Sequence, residues 1–334
     1  MANDYPLWLI LNECTLKDAN GNELSSKQSC IFCEFMMMLS FSSKKTWTAR
    51  GDSDANLQRH YNTDTSNPQL LSLYLFNIGA KGRLCLHTAN GINPEDTSSS
   101  NFRNICELLK SALDKAAKGQ SNRAIKMRKF ISKNSKFVNS FLSDISHLVS
   151  KYENLSISER KKINIYYLYI LHTINSRDYN AMSNFVSVSE NLCIAREFAE
   201  STLIVGWVPT HPLFSLVSYR KTDEFSDLCK SAQLPYIDRP VYQEQAEISI
   251  LCGILPHFII GFRVGNDFYV NPAIFKTMGL FAKCYNVQQI LQLKTDIVTN
   301  GLIVDQHNFI EYCNMTNYKK YFTYDGLQYR LYNL

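Results

Sequence analysis

The chain has 334 residues, 45% of them hydrophobic and 12% aromatic, enough to build a sizeable core and too apolar for a disordered protein. Charged residues make up 19%, and Lys and Arg together exceed Asp and Glu by five. That balance permits an anionic partner but excludes the strongly cationic class of histone-like chains. In chain order, Leu7 to Leu11 is an apolar, strand-like run, followed by a turn at Gly21-Asn22 and a helix-like segment from about Cys30 to Leu39. Residues 51–69 are polar and turn-rich, 70–78 are apolar, and Arg83 to His87 reads as a short strand before a loop dense in Asn, Gly, Pro, Asp and Ser.

From 101 to 176 glycine occurs only at 119 and proline not at all. Ile105, Leu108, Leu109, Ala112 and Leu113, and later Phe130, Phe137, Phe141, Ile145 and Leu148, recur at helical spacing. A further helix is expected from about Ser158 to Ile174, with Ser156-Ile157-Ser158-Glu159 as its capping region. Strand patterns then dominate. They cover Phe185 to Ser189, Leu203 to Val208 before Pro209, Phe214 to Tyr219, Ile248 to Leu251, and a hairpin of 258–264 with 268–270 across Gly265-Asn266-Asp267. The chain therefore divides into an N-terminal part (1–100), a helical insertion (101–176) and a C-terminal part (177–334) of one α+β domain.

Ten cysteines are scattered without a disulfide framework, and no signal-peptide pattern is evident, so they read as buried thiols of a reducing cytosol. Cys30 and Cys33 form a lone C-x-x-C, and the seven histidines lack H-x-x-x-H or H-E-x-x-H spacing, so no metal is expected. The longest apolar runs, 31–41 and 251–262, are interrupted and fall short of the ~18–20 residues that span a bilayer. A soluble, cytoplasmic protein without a membrane partner is the expectation.

Three separated pieces carry the chemistry. Thr46-Trp47-Thr48-Ala49-Arg50-Gly51 is a strand ending in an arginine, which can fork onto phosphate oxygens, and a glycine, which admits close backbone approach. Ser187-Val188-Ser189 puts two small hydroxyls on one strand face, ahead of a helix pattern of Leu192, Ala195, Phe198 and Ala199. Gln245-Ala246-Glu247 opens a strand, with Gln245 and Glu247 expected on one face, and is followed by Gly253 and Pro256. Each piece also has a bland reading: an exposed arginine at a strand end, surface serines, and a charged start of a strand.

Together, and in this order, the pieces resemble the Arg–Ser–Glu class of the ADP-ribosyltransferase superfamily. Arg50-Gly51-Asp52-Ser53-Asp54, with Leu57 and Arg59, is also similar to the opening of the FRG domain, although Thr48 stands where that motif has Phe. Val188 likewise departs from the usual Ser-Thr-Ser. Arg50 and Ser187 stand 137 residues apart, wider than in compact members, which leaves Arg83 and Arg177 as alternatives for the first motif. Leu86-His87-Thr88 is reminiscent of the His–Tyr–Glu class, but its glycine and paired tyrosines are missing. The resemblance covers about a third of the chain, roughly 45–60 and 180–265.

The resemblance implies a split β-sandwich core and mono-ADP-ribosylation with NAD as substrate. Arg50 and Gly51 would take the pyrophosphate, Ser187 and Ser189 the nicotinamide-side ribose, and Glu247 the ribose hydroxyl as an oxocarbenium develops. Gln245, with Tyr242 on the loop 238–244, would orient the acceptor. In the family Gln-x-Glu goes with amide side chains or nucleic-acid bases, which a neutral Gln can recognise. Arg123, Lys126, Arg128, Lys129, Lys133 and Lys136 form a basic segment able to grip a phosphate backbone, or equally a solvated helix face. Read together, these features point to RNA as acceptor and to an intracellular toxin of a bacterial toxin–antitoxin or phage-defence module, with an antitoxin protein as partner. A protein-modifying transferase, an NAD glycohydrolase and a non-catalytic binding module on the same scaffold are the alternatives.

Overall fold

The computed structural model describes residues 5–61, 64–80, 92–118, 122–174, 183, 185–209, 216–218, 222–238, 245–251, 253–305, 320–324 and 329–333. In chain order the elements are α1 (Tyr5–Glu13), β1 (Thr15–Lys17), α2 (Ser26–Ser40), β2 (Lys45–Asp52), α3 (Asp54–Tyr61), α4 (Pro68–Ile78), α5 (Ser99–Lys118), α6 (Asn122–Lys133), α7 (Ser135–Leu142), α8 (Ser146–Glu153) and α9 (Ile157–Ile174). There follow β3 (Phe185–Ser189), α10 (Leu192–Glu197), β4 (Thr202–Pro209), β5 (Leu216–Ser218), α11 (Thr222–Ser231), β6 (Glu247–Leu251), β7 (Ile259–Val264), β8 (Asp267–Val270), α12 (Ala273–Met278), α13 (Val287–Asn300), β9 (Lys320–Tyr324) and β10 (Tyr329–Asn333). The protein is mixed α+β. None of its described helices is long and apolar enough to cross a membrane.

Leu7 to Leu11 lies in the helix α1 and not in a strand. A continuous apolar run carries neither a period of 2 nor of 3.6, so burial decides its form. The expected strand at Arg83 to His87 lies outside the described residues. Among the cysteines expected to be buried, Cys106 and Cys229 are, whereas Cys30 and Cys193 are exposed.

The chain forms two units. The first comprises Met1–Arg83, Ser187–Leu213 and Gly253–Leu334. Its sheet runs β1-β8-β7-β4-β2, and Ser189 of β3 pairs with Ala49 of β2. β1 and β8 are parallel; the other pairs in this run are antiparallel. The β2–β4 ladder is unbroken from Lys45↔Pro209 to Asp52↔Thr202, which fixes where Arg50 stands. Phe32, Phe35, Met36 and Leu39 of α2 are buried, with Phe32 and Phe35 meeting Phe268 and Trp207 of the sheet, and the helix is started by a capping box between Ser25 and Gln28. Phe35 and Phe258 meet the buried Trp207 edge-on at 5.9 and 5.5 Å, and the indole N–H donates to the Val298 carbonyl at 3.0 Å.

His257 sits in the 3-10 turn Pro256–Phe258 of this unit. Part of its surface remains accessible, but Nδ1 is sealed from solvent with no partner among the described residues. Burial lowers its pKa from 6.5 to about 4. Between those values the unfolded chain binds the extra proton and the folded one does not. Stability is therefore full above pH 6.5 and is lost as pH falls towards 4, by at most about 3 kcal/mol given the partial exposure. Urea midpoints measured from pH 7.5 to 4.5 are expected to fall less steeply in His257→Gln than in the parent. Identical slopes would remove His257 as the cause.

The second unit comprises Leu84–Val186 and Phe214–Cys252. It contains the helices α5 to α9 and α11, and the antiparallel pair β5–β6. Its central helix, α9, is buried on every side from Ile163 to Leu171, which is why it shows little amphipathic periodicity. Phe102 stacks on Tyr152 at 3.9 Å, and Phe141 meets Tyr167 edge-on at 5.2 Å. Buried polar side chains near the middle of α9 find partners in neighbouring segments. Asn164 accepts from the Tyr152 hydroxyl and donates to the Asp96 carbonyl, the Tyr167 hydroxyl donates to the Pro235 carbonyl, and the Tyr166 oxygen accepts from the Ile237 amide. These bonds tie residues 235–237 to α9. The expected cap at Ser156 and Glu159 forms as a reciprocal box.

Candidate functional site

In the first unit, β2 delivers Arg50 to the start of Ser187-Val188-Ser189. Arg50 Nη1 donates to the Ser187 carbonyl at 2.8 Å, and Nε donates to Asp52 Oδ2 at 2.9 Å. The Arg50 side chain is 13% exposed and that of Asp52 only 2%, so the ion pair is largely desolvated. Asp52 Oδ1 also accepts from the Ser53 amide at the junction with α3. The described residues thus take two of the five guanidinium N–H donors, and the carboxylate locks the fork's orientation. The donors left over suit the planar, bidentate chemistry that a phosphate takes. Ser189 is buried, with its hydroxyl oxygen accepting from the Asn191 amide at 3.0 Å.

Gly51 has a different explanation from the one expected. A Cβ placed there would come within 2.3 Å of the Ala195 carbonyl oxygen and of the Ala199 nitrogen. The close backbone approach that Gly51 permits is therefore by the end of α10. Asn191 caps α10, whose Leu192 and Ala195 are buried as the pattern predicts. The helix ends at Glu197, however, and Phe198 is 55% exposed. The helical face expected to continue through Phe198 and Ala199 is cut short, because six residues make less than two turns.

In the second unit, Glu247 is the first residue of β6, and its side chain is 13% exposed. Its Oε1 accepts from the Ser249 hydroxyl at 2.9 Å and lies 3.5 Å from His172 Nε2. On the far side of the imidazole, Nδ1 is 2.7 Å from the Ser183 hydroxyl, which also accepts from the Phe185 amide at 3.0 Å. Tyr169, buried one turn before His172 on α9, has its phenol pushed well above the usual range by burial and then by the Glu247 charge. Gln245 does not share a strand face with Glu247. Ala246 has a φ of 46°, left-handed, and β6 begins only at Glu247, so the period of 2 is broken between them.

The basic segment is two helices and not one. Asn134, buried, interrupts it, donating to the Phe130 carbonyl and accepting from the Asp238 amide. On α6, Lys126, Arg128 and Lys129 are exposed while Met127 and Phe130 are buried. Arg123 falls in α6, but its side chain lies outside the described residues, as do Tyr242, Arg83, His87 and Arg177. Among the described residues no group of three or more His, Cys, Asp and Glu could hold a metal ion.

His172 and Ser183 are the additions that sequence reasoning missed. His172 stands near the end of an apolar helix, where a lone histidine has no motif to mark it. Comparisons with protein-family models, with curated proteins and with solved structures found no match for this chain.

Proposed function

We propose that this protein is an NAD-dependent mono-ADP-ribosyltransferase of the Arg–Ser–Glu type, with the split β-sandwich fold that the resemblance implies. The observation that carries the reading is the Arg50–Ser187 contact. The Arg50 and Ser187 motifs, 137 residues apart, meet through a 2.8 Å hydrogen bond, with the guanidinium held by a buried carboxylate. A preorganised Arg of that kind suits a pyrophosphate. Glu247, fed by hydrogen-bond donors and mostly shielded from water, suits the stabilisation of a developing oxocarbenium.

The transition state is dissociative: the C1′–nicotinamide bond breaks, nicotinamide leaves with the bonding pair, and an acceptor nucleophile attacks C1′ and loses its proton. RNA is the proposed acceptor, with the exposed cations of α6 as its electrostatic footing. The cellular reading that goes with it is a cytoplasmic toxin restrained by an antitoxin protein.

The test is to incubate the full chain with NAD labelled in the adenylate portion and, separately, with RNA, DNA or cell protein. Label is expected in RNA, with transfer weakening as salt rises. Label in protein alone would replace RNA by an amide side chain as acceptor. Free ADP-ribose without labelled macromolecule would make the protein a glycohydrolase. NAD left intact under every condition would leave a binding module.

A further inference from the structure

We propose that His172 is a positioning residue for Glu247: backed by Ser183, its Nε2–H fixes the Glu247 carboxylate for the reaction, with Ser249 holding the same oxygen. The inference rests on the ADP-ribosyltransferase reading for its catalytic consequence, but its geometry stands within one unit of the fold.

The hydroxyl of Ser183 is buried, accepts from the Phe185 amide at 3.0 Å, and lies 2.7 Å from His172 Nδ1. That hydroxyl can donate its hydrogen to Nδ1 while it accepts from the Phe185 amide, the arrangement in which the ring proton sits on Nε2. The other end agrees. Nε2 faces Glu247 Oε1 at 3.5 Å, and an unprotonated Nε2 there would set a lone pair against a carboxylate oxygen. Ser249, fully buried, donates to the same oxygen at 2.9 Å. Such donors hold a carboxylate that is 13% exposed in one rotamer.

The ring lies 5.9 Å from the Phe185 ring on one side, and it hangs from the buried end of α9. Ser183, His172, Glu247 and Ser249 thus form one directional chain from β3's approach, through α9, to β6. Loss of the middle member lets the carboxylate swing. A displacement of about 1 Å at a reacting group typically costs about 10²-fold in rate. NAD affinity, carried by groups elsewhere on the substrate, need not change, so the effect belongs in kcat.

The experiment has two arms, both on the full chain. In the first, ¹⁵N-histidine-labelled protein is examined by long-range ¹H–¹⁵N correlation, with His172 assigned through His172→Gln. The neutral ring is expected with its proton on Nε2; a proton on Nδ1 overturns the proposal, whatever the protein's activity. In the second, kcat and KM for NAD are compared in the parent, His172→Phe and His172→Gln. His172→Phe is expected to lose about 10²-fold in kcat with KM within about threefold. His172→Gln, whose amide can still donate towards Glu247, is expected to recover most of that loss. Equal kcat in all three overturns the proposal. An inactive parent refutes the proposed function instead, and His172 is then judged by its tautomer alone.

Discussion

Glu247→Gln is expected to fold as the parent does and to lose ADP-ribosyl transfer by about 10²–10³-fold. The fold should survive because the amide oxygen can accept from Ser249 as Oε1 does, at nearly the same volume. The rate should fall because the amide carries no charge to offset the oxocarbenium. Thermal unfolding establishes the first half and single-turnover transfer the second. A folded Glu247→Gln protein that transfers at the parental rate would take Glu247 out of the mechanism and with it the central residue of the proposed function.

The second large effect concerns stability before it concerns binding. Arg50→Ala removes the guanidinium from a carboxylate that is 2% exposed. Breaking a buried ion pair costs about 3–5 kcal/mol, and the 13% exposure of Arg50, with the Ser53 amide still bonded to the carboxylate, argues for the lower end, about 3 kcal/mol. That loss exceeds what a missing phosphate contact would remove from NAD binding, so the single variant confounds the two roles. Arg50→Ala combined with Asp52→Asn separates them, since the neutral amide no longer needs a cation. We expect urea denaturation to show most of the stability restored in the double variant. Calorimetric titration of the same variant is expected to show NAD bound at least about tenfold more weakly. Restored stability with undiminished NAD affinity would leave Arg50 a structural residue and move the phosphate role elsewhere. An Arg50→Ala protein as stable as the parent would show that the Asp52 pair contributes nothing.

Much of the architecture follows from local pattern. Of the helices between Ser99 and Ile174, α5 was readable because its apolar residues recur at 3.6 and α9 from its cap at Ser156 and Glu159, and neither proline nor internal glycine interrupts them. The β7–β8 hairpin was readable from Gly265-Asn266-Asp267 between alternating runs. Where pattern is absent the reading failed. Leu7 to Leu11 is uniformly apolar and became a helix. Phe198 fits a helical stripe, yet it lies exposed because α10 is only six residues long. Gln245 and Glu247 have the spacing of one strand face, but the left-handed Ala246 ends that periodicity.

What the sequence determined by itself is the set of chemical groups and their order along the chain: an arginine ending one strand, two serines on another, a glutamate opening a third. These are choices of residue type at strand ends, and strand ends are marked by short-range propensity and turn chemistry. The tertiary structure alone decided what each group touches. Asp52 became the partner of Arg50, Gly51 made room for the end of α10, and His172 and Ser183 came to stand behind Glu247. Such contacts join residues far apart in the chain. They depend on how helices and strands pack, because burial free energy is non-directional and leaves no local signature at either partner.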